Sequence, residues 1–430
     1  MVVDSALVLA LAAGLPADPV HPGAEGGVGL AIRAAKVLTC AAEGPQYVDR
    51  GIVLVSDGRI EAVGPADEVE VPEDYHFVDV GKRWLMPGML ELHCHVAGSF
   101  DFNDPVYLAN PGLRAESLIT PDNELVMNGL AAGVTSMLFI PGSSTNMGGQ
   151  GILLKVGRGN FEDNLIRRPG SLKLAQAGNP ERWGPIYPGR SFQNWHTRTT
   201  FERGLAYAQR WAEYEANGGE EPLVDPQWEI FRKLYSREVQ ISAHTQGYQV
   251  ELMSLTMVNR DLGLDLFVDH GTFDGWRLAR VVQDVGAYAI VGPRQVDLPW
   301  RVMIDWSGSN PERYQGIHAG YQELGFDNIG FNTDSHPSTI PQEELPTQAA
   351  IAVHYGFRDD AMQTVRGLTI IPAQAVGIDD RLGSLEPEKL AAALVVPLPE
   401  SADDPFATLC SVPQDVRRLD DPDALEDLAS

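Results

Sequence analysis

Cysteine, basic residues and long apolar runs are all scarce in this chain. Its 430 residues hold three cysteines, Cys40, Cys94 and Cys410. Three are too few for a disulfide framework, and the count leaves the compartment open, because a large core needs no disulfides. Lys and Arg number 32 against 59 Asp and Glu, a formal net charge of −27. A surface this acidic repels phosphate backbones and argues against nucleic acid as a partner. No segment is long and apolar enough to span a bilayer. Ala6 to Leu15 is an apolar run that could form the core of a signal peptide, but Asp4 precedes it and no Lys or Arg does. A basic leader is therefore missing, and cytoplasmic residence and export both stay open.

What is present describes an ordinary globular protein: 44% of residues are hydrophobic and 21% charged. The length suffices for one large domain with a smaller accessory one. Residues 19 to 29 are rich in Pro and Gly and read as a linker. Gly51 to Val63 reads as two strands joined at Asp57-Gly58, a dipeptide favoured in tight hairpin turns. From Phe201 onward the rhythm changes. Phe201 to Asn217 places Leu205, Ala208, Trp211 and Ala212 on one helical face and stops at Gly218-Gly219. Helical stretches over Gln227 to Ser236, Tyr248 to Leu262, Trp276 to Val285 and Glu312 to Leu324 then alternate with the strand-like VQISAHT, LDLFVDHG, AYAIVGPR and NIGFNTDS. Alternating strands and helices predict parallel βα units and an α/β fold of the (β/α)8 TIM-barrel type.

Three of these strands end on a residue able to bind metal or move protons: His244, His270 and Asp334. In a (β/α)8 barrel the C-terminal strand ends converge on the active site. His244 and His270 are 26 residues apart, about one βα unit; His270 and Asp334 are 64 apart, which fits two units with an added loop. Upstream, LMPGMLELHCHV sets His93 and His95 two residues apart. On a strand both imidazoles then point to one side and can reach one metal, while Cys94 points away into packing. An HxH triplet alone is a weak signal; joined by three candidates on later strands it becomes a strong one. The glycine-rich TNMGGQG (Thr145 to Gly151) has no Lys-Ser/Thr at phosphate-loop spacing and reads as a tight active-site loop.

At these residues the sequence resembles the amidohydrolase superfamily, in particular its imidazolonepropionase-like and Xaa-Pro-dipeptidase-like branch. The resemblance runs from about Leu30 to Glu386 and rests on VLVSDGRIEAVGP, LMPGMLELHCH, the strands ending in His244, His270 and Asp334, and LTIIPAQAVGIDDRLGSLEPEK. It implies a barrel flanked by a small β-sandwich built from early and late chain segments. The domains expected are an N-terminal segment over 1–29, sandwich over 30–85, barrel over 86–370, a return to the sandwich over 371–400 and an acidic tail over 401–430. The tail is Pro- and Asp-rich with little strand alternation, which departs from the family pattern; Ala391 to Val396 is the last strand expected.

The resemblance also implies roles. His93, His95 and His244 would ligate a metal, Asp334 would be ligand and general base, and His270 would ligate a second metal or contact substrate. Neutral imidazoles with one carboxylate suit Zn2+, with Fe and Mn as alternatives. Relatives with a carboxylated lysine on strand 4 point to Lys173 as a bridge between two metals, with Lys155 on strand 3 a weaker candidate. A one-metal site is the expectation, and a Lys173 amine far from His93 and His95 would support it. His336 and Arg294 are candidate substrate contacts. The activity implied is hydrolysis of a C–N bond in a cyclic amide or peptide-like small molecule. Ring deamination by the same site is the rival within enzymes, and a noncatalytic scaffold is the rival outside them; a scaffold predicts missing ligand positions, and all five are filled. Substrate identity and homo-oligomer formation are left open.

Overall fold

The structure is a computed structural model and describes residues 7–10, 29–96, 103–120, 123–157, 160–176, 179–182, 188–293, 295–297, 314–336 and 344–396. Early and late chain segments meet in two small sheets. One has the strand order Leu7–Ala10, Ala392–Val396, Trp84–Pro87, Lys36–Leu38, Tyr47–Asp49; the other runs Arg59–Pro65, Gly51–Ser56, Leu30–Arg33, His76–Asp79. Both contribute to one apolar cluster, with Ile32, Val53 and Ile60 from the second sheet and Val37, Leu85 and Ala393 from the first. The hairpin between Gly51–Ser56 and Arg59–Pro65 turns on Asp57 (φ 48) and Gly58 (φ 71). Two successive positive φ angles define the turn whose twist matches that of the flanking strands.

The larger part is mixed α/β. Its main strands are β1 (Met89–Cys94), β2 (Val134–Phe139), β3 (Ile152–Lys155), β4 (Ser171–Ala175), β5 (Gln240–Gln246), β6 (Leu266–Thr272), β7 (Ala289–Val291) and β8 (Ile329–Phe331). β4 to β8 pair in parallel in sequence order, as do β1 and β2. Every residue of β1, β2 and β6 is buried, as expected of parallel strands covered on both faces. The helices between them include α1 (Glu124–Ala131), α2 (Arg190–Asn217), α3 (Glu229–Tyr235), α4 (Tyr248–Ser254), α5 (Ala279–Asp284) and α6 (Ile317–Glu323). Among the described residues no helix is long and apolar enough to cross a membrane.

The hydrogen-bonded ladder is not one continuous barrel. It divides into a four-stranded sheet, Leu165–Arg167/β3/β2/β1, and a six-stranded sheet, Met147–Gln150/β4/β5/β6/β7/β8. The division falls where the expected active-site loop TNMGGQG is instead a strand, Met147–Gln150, paired antiparallel with β4. Beside and within it, Asn146 Nδ2 donates to Ala175 O at 2.8 Å and Gln150 Nε2 to Pro111 O at 2.9 Å. The outer edges meet through a single parallel bridge between Cys94 and Ser335, where His95 N donates to Ser335 O at 2.9 Å.

Four helices differ from the sequence reading: the one expected from Trp276 begins as a 3-10 helix over Phe273–Leu278, and the one expected from Glu312 begins at Ile317, after the strand Gln315–Gly316. α2 starts at Arg190, well before Phe201, because its first turns bury Gln193, Thr197 and Thr200, polar residues that an apolar period does not register. The helix expected over Tyr248 to Leu262 is α-helical to Ser254 and then π-helical over Leu255–Asp261.

Candidate metal centre

Alternation along β1 turns Glu91, His93 and His95 to one face and Cys94 to the other. The Cys94 thiol packs into the core, 3.9 Å from Met137 Sδ. His244 comes from β5, His270 from β6, and Asp334 follows β8 by three residues. Both His270 (φ 73) and Asp334 (φ 50) have left-handed backbones. That conformation is uncommon outside glycine and clusters where a site holds a side chain in a set direction.

The side chains converge. Asp334 Oδ1 lies 3.3 Å from His93 Nε2 and 3.3 Å from His95 Nε2. His95 Nδ1 faces the carbonyl of Ile140 at 2.8 Å. A carbonyl only accepts, so Nδ1 carries the proton and Nε2 presents a lone pair toward Asp334. His270 Nδ1 faces Gly292 O at 2.8 Å, which by the same argument leaves its Nε2 with a lone pair. That Nε2 is 2.9 Å from His244 Nδ1, so His244 donates from Nδ1 and its own Nε2 is bare. His93 Nδ1 stands 3.2 Å from Asp269 Oδ2, an arrangement that favours a proton on Nδ1 and a lone pair on Nε2. Lone pairs turned toward a carboxylate oxygen call for a cation between them. Two overlapping trios meet the distance needs of an ion, His93/His95/Asp334 and His93/His244/His270, each with donor atoms within 4.8 Å of one another. The donor set therefore fits a divalent transition metal.

Lys173, on β4, is fully buried, with Nζ 3.2 Å from His93 Nε2 and 3.7 Å from Asp269 Oδ2. The observation that would have favoured a single metal, an amine remote from His93, is not what the fold provides. Lys155 is half-buried on β3, where burial lowers its amine, opposed by Asp163 and helped by Arg381. His336 is half-buried two residues beyond Asp334. Arg294 lies outside the described residues, as does the 401–430 tail.

A family model for the amidohydrolase family matches residues 313–416. A crystal structure of an amidohydrolase from Thermotoga maritima MSB8 superposes with a TM-score of 0.73 at 25% identity, covering 88% of this chain and 95% of that one. The chain is similar to members of the amidohydrolase superfamily over most of its length. Imidazolonepropionase of Symbiobacterium thermophilum is 23% identical over 407 residues, 86% of this chain and 92% of that protein. Amidohydrolase tasK of Hapsidospora irregularis is 23% identical over 384 residues, but the chain spans only 36% of its length. A Xaa-Pro dipeptidase with bound methionine shares the fold, with a TM-score of 0.52 at 14% identity.

Electrostatics in this site follow from burial and crowding. Burial raises the Asp334 carboxyl, but His270, His93 and His95 outweigh it and hold the group well below the usual carboxylate range. Asp334 side-chain exposure is 36%, so its carboxylate is walled by imidazoles on one side and open on the other. Burial and the neighbouring His93 push His270 down to about 3, and burial with His270 pushes His244 well below its ordinary value. Both are neutral, ready to act as ligands. For His93, burial and Lys173 pull down, while Asp269 and Asp334 together pull up and prevail. Burial lowers Lys173, partly offset by Asp269 and Asp334.

Two residues were missed from sequence. Asp269 is fully buried, accepts a short hydrogen bond from Ser242 Oγ and braces both His93 and Lys173. Glu91 accepts from His93 N at 2.9 Å and from Thr333 N and Oγ1 at 2.9 and 2.7 Å, joining β1 to the segment after β8. Burial lifts its carboxyl to about 7 against these hydrogen bonds. Its signal was available: Glu91, His93 and His95 form an E-x-H-x-H alternation.

Proposed function

We propose that this chain is a metal-dependent hydrolase that cleaves a C–N bond in a small cyclic amide or peptide-like substrate. The observation that carries the reading is the convergence of His93 Nε2 and His95 Nε2 on Asp334 Oδ1, with His244 and His270 alongside. The two α/β sheets are read as arcs of one (β/α)8 barrel, a reading supported by the Cys94–Ser335 bridge and the Glu91–Thr333 bonds between their edges. In such a barrel these residues stand at the C-terminal face, where catalysis resides.

His93, His95, His244 and Asp334 would hold the first ion, of which Zn2+ best suits the set; His270 and Lys173 would serve a second if one is present. A cation bound there supplies Lewis acidity and a water acidic enough to lose its proton near neutral pH. Asp334, kept ionised by the imidazoles around it, accepts that proton and returns it to the departing nitrogen. His270, neutral and anchored through Gly292 O, presents the lone pair of Nε2, which suits a ligand or an acceptor from substrate and not a donor to a carbonyl. His336 and Arg294 are proposed contacts for the rest of the substrate.

The test combines metal analysis with a hydrolysis screen over dipeptides, N-acyl amino acids, lactams and hydantoins. One to two equivalents of transition metal are expected, with activity lost to a chelator and restored by Zn2+. Asp334→Asn should keep the fold and much of the metal and lose turnover by about two to four orders of magnitude. Full metal occupancy in a His93→Ala/His95→Ala double variant would refute the site.

A further inference from the structure

Beside the end of β6 lies a buried acid for which the proposed chemistry has no role. Glu251 sits on α4, the helix after β5, and is fully buried. Among the described residues its carboxyl meets one donor, the Tyr321 hydroxyl of α6, at 3.0 and 3.1 Å. The same hydroxyl is 3.2 Å from the carbonyl of Gly271, the residue after His270. Three acceptor oxygens thus surround a hydroxyl that has one proton to give. With Glu251 ionised, the hydroxyl serves either the carboxylate or the carbonyl and strands the other. A proton on Glu251 resolves the count: the acid donates to the Tyr321 oxygen, and Tyr321 donates to Gly271 O. Burial pushes Glu251 in that direction, against the Tyr321 hydrogen bond and with the help of Asp274 on the turn after β6.

The backbone at this point needs holding. His270 (φ 73), Gly271 (φ 52) and Phe273 (φ 56) are all left-handed. A side chain at Gly271 would run into the Tyr321 hydroxyl, and one at Gly275 into the Glu251 carboxyl. Around the same corner Gly247 N donates to Thr272 O at 3.1 Å and Tyr248 N to Asp274 Oδ1 at 2.9 Å. Contacts from the segments after β5, β6 and β7 therefore meet at one buried pair.

We propose that neutral Glu251 and Tyr321 form a latch that fixes the left-handed His270–Gly271 corner and so sets the aim of the His270 imidazole in the metal centre. Both are positioning residues, since neither touches a reacting atom, and the latch rests on the reading of His270 as part of that centre.

Cobalt(II) is the probe, because its visible absorption reports ligand geometry without turnover. Full-length wild-type, Tyr321→Phe, Glu251→Ala and Glu251→Gln proteins are loaded, and thermal unfolding of each metal-free protein establishes that it is folded. Tyr321→Phe and Glu251→Ala should shift the cobalt spectrum and weaken binding about 10- to 100-fold, the usual effect of losing a group behind a ligand. Glu251→Gln keeps a neutral donor and acceptor and should restore the wild-type spectrum and affinity. Should Glu251→Ala fail to fold, Tyr321→Phe, which removes one oxygen atom, carries the comparison. Folded Tyr321→Phe with wild-type spectrum and affinity overturns the latch, as does Glu251→Gln with the Glu251→Ala phenotype. Wild-type protein that binds no cobalt overturns the metal centre itself.

Discussion

Asp269→Asn separates the bracing of the site from its folding. Asp269 is buried with Oδ2 3.2 Å from His93 Nδ1 and 3.7 Å from Lys173 Nζ. The substitution keeps the shape and removes one negative charge beside two groups that can be positive. Breaking a buried ion pair from one side costs about 3–5 kcal/mol when the abandoned charge must stay. Here it need not stay, because burial already lowers Lys173 and the amine can shed its proton. The stability cost then falls toward that of an ill-satisfied buried polar group, about 1–3 kcal/mol. The larger effect is on metal. An amide, unlike a carboxylate, can turn its NH2 toward Nδ1 and so favour the tautomer protonated on Nε2, which cannot ligate through that atom. Loss of such an orienting partner weakens metal affinity about 10- to 100-fold, or about 1.4–2.8 kcal/mol. Equilibrium competition for Zn2+ against a chromophoric chelator measures this, alongside denaturant unfolding of the metal-free protein. Zn2+ affinity within threefold of wild type, with or without a stability change, would refute the orienting role.

Acid sensitivity should trace in part to His318, which is buried against Phe331 with ring centroids 4.6 Å apart. Burial, against a weaker pull from the Gly330 backbone, lowers it from 6.5 to about 3. The unfolded chain therefore binds the proton first, so this contribution is complete above pH 6.5 and is lost as pH falls toward 3, amounting to about 2 kcal/mol by pH 5. His318→Phe should flatten the fall in unfolding free energy between pH 7 and pH 5 relative to wild type; parallel slopes would exclude it. Metal uptake should also weaken in acid, because the proton favoured on His93 competes with the ion; a pH-independent Zn2+ affinity from pH 5 to 8 would contradict that.

Much of the site was legible because polar residues ended apolar strands. His244, His270 and Asp334 stand out against LDLFV and NIGF, and the two-residue step from His93 to His95 names a face of β1. Asp269 escaped because strand parity sends neighbours to opposite faces, and His270 was already assigned inward. The left-handed φ of His270 breaks that parity and turns both residues toward His93: Asp269 reaches its Nδ1, and the His270 ring centroid lies 4.4 Å from its own. No local composition announces such a φ. The parallel run from β4 to β8 was likewise readable, but not the reversals at β3 and at Met147–Gln150, whose glycines fit a turn as well as a strand. α2 was cut short for a related reason, since Gln193 is buried through hydrogen bonds with Asn146 and Pro188 and not through apolar character.

The bond from Thr333 to Glu91 joins residues 242 positions apart, and the ligand candidates divide the same way, His93 and His95 on one side and Asp334 on the other. An ion shared by these groups would act as a cross-link between the first and last strands of the α/β layer, closing a loop that spans most of that layer. Such a cross-link stabilises only the closed form, by mass action in proportion to how far the free metal concentration exceeds its dissociation constant. Metal loading would then register that the chain has been made and folded through to β8. The metal-free protein would be expected to open first along the Cys94–Ser335 seam, where a single bridge and one buried carboxyl hold the edges together. Protease sensitivity at that seam would then be tied to metal supply, and a shortage of metal would be felt as turnover of the protein as well as loss of its chemistry.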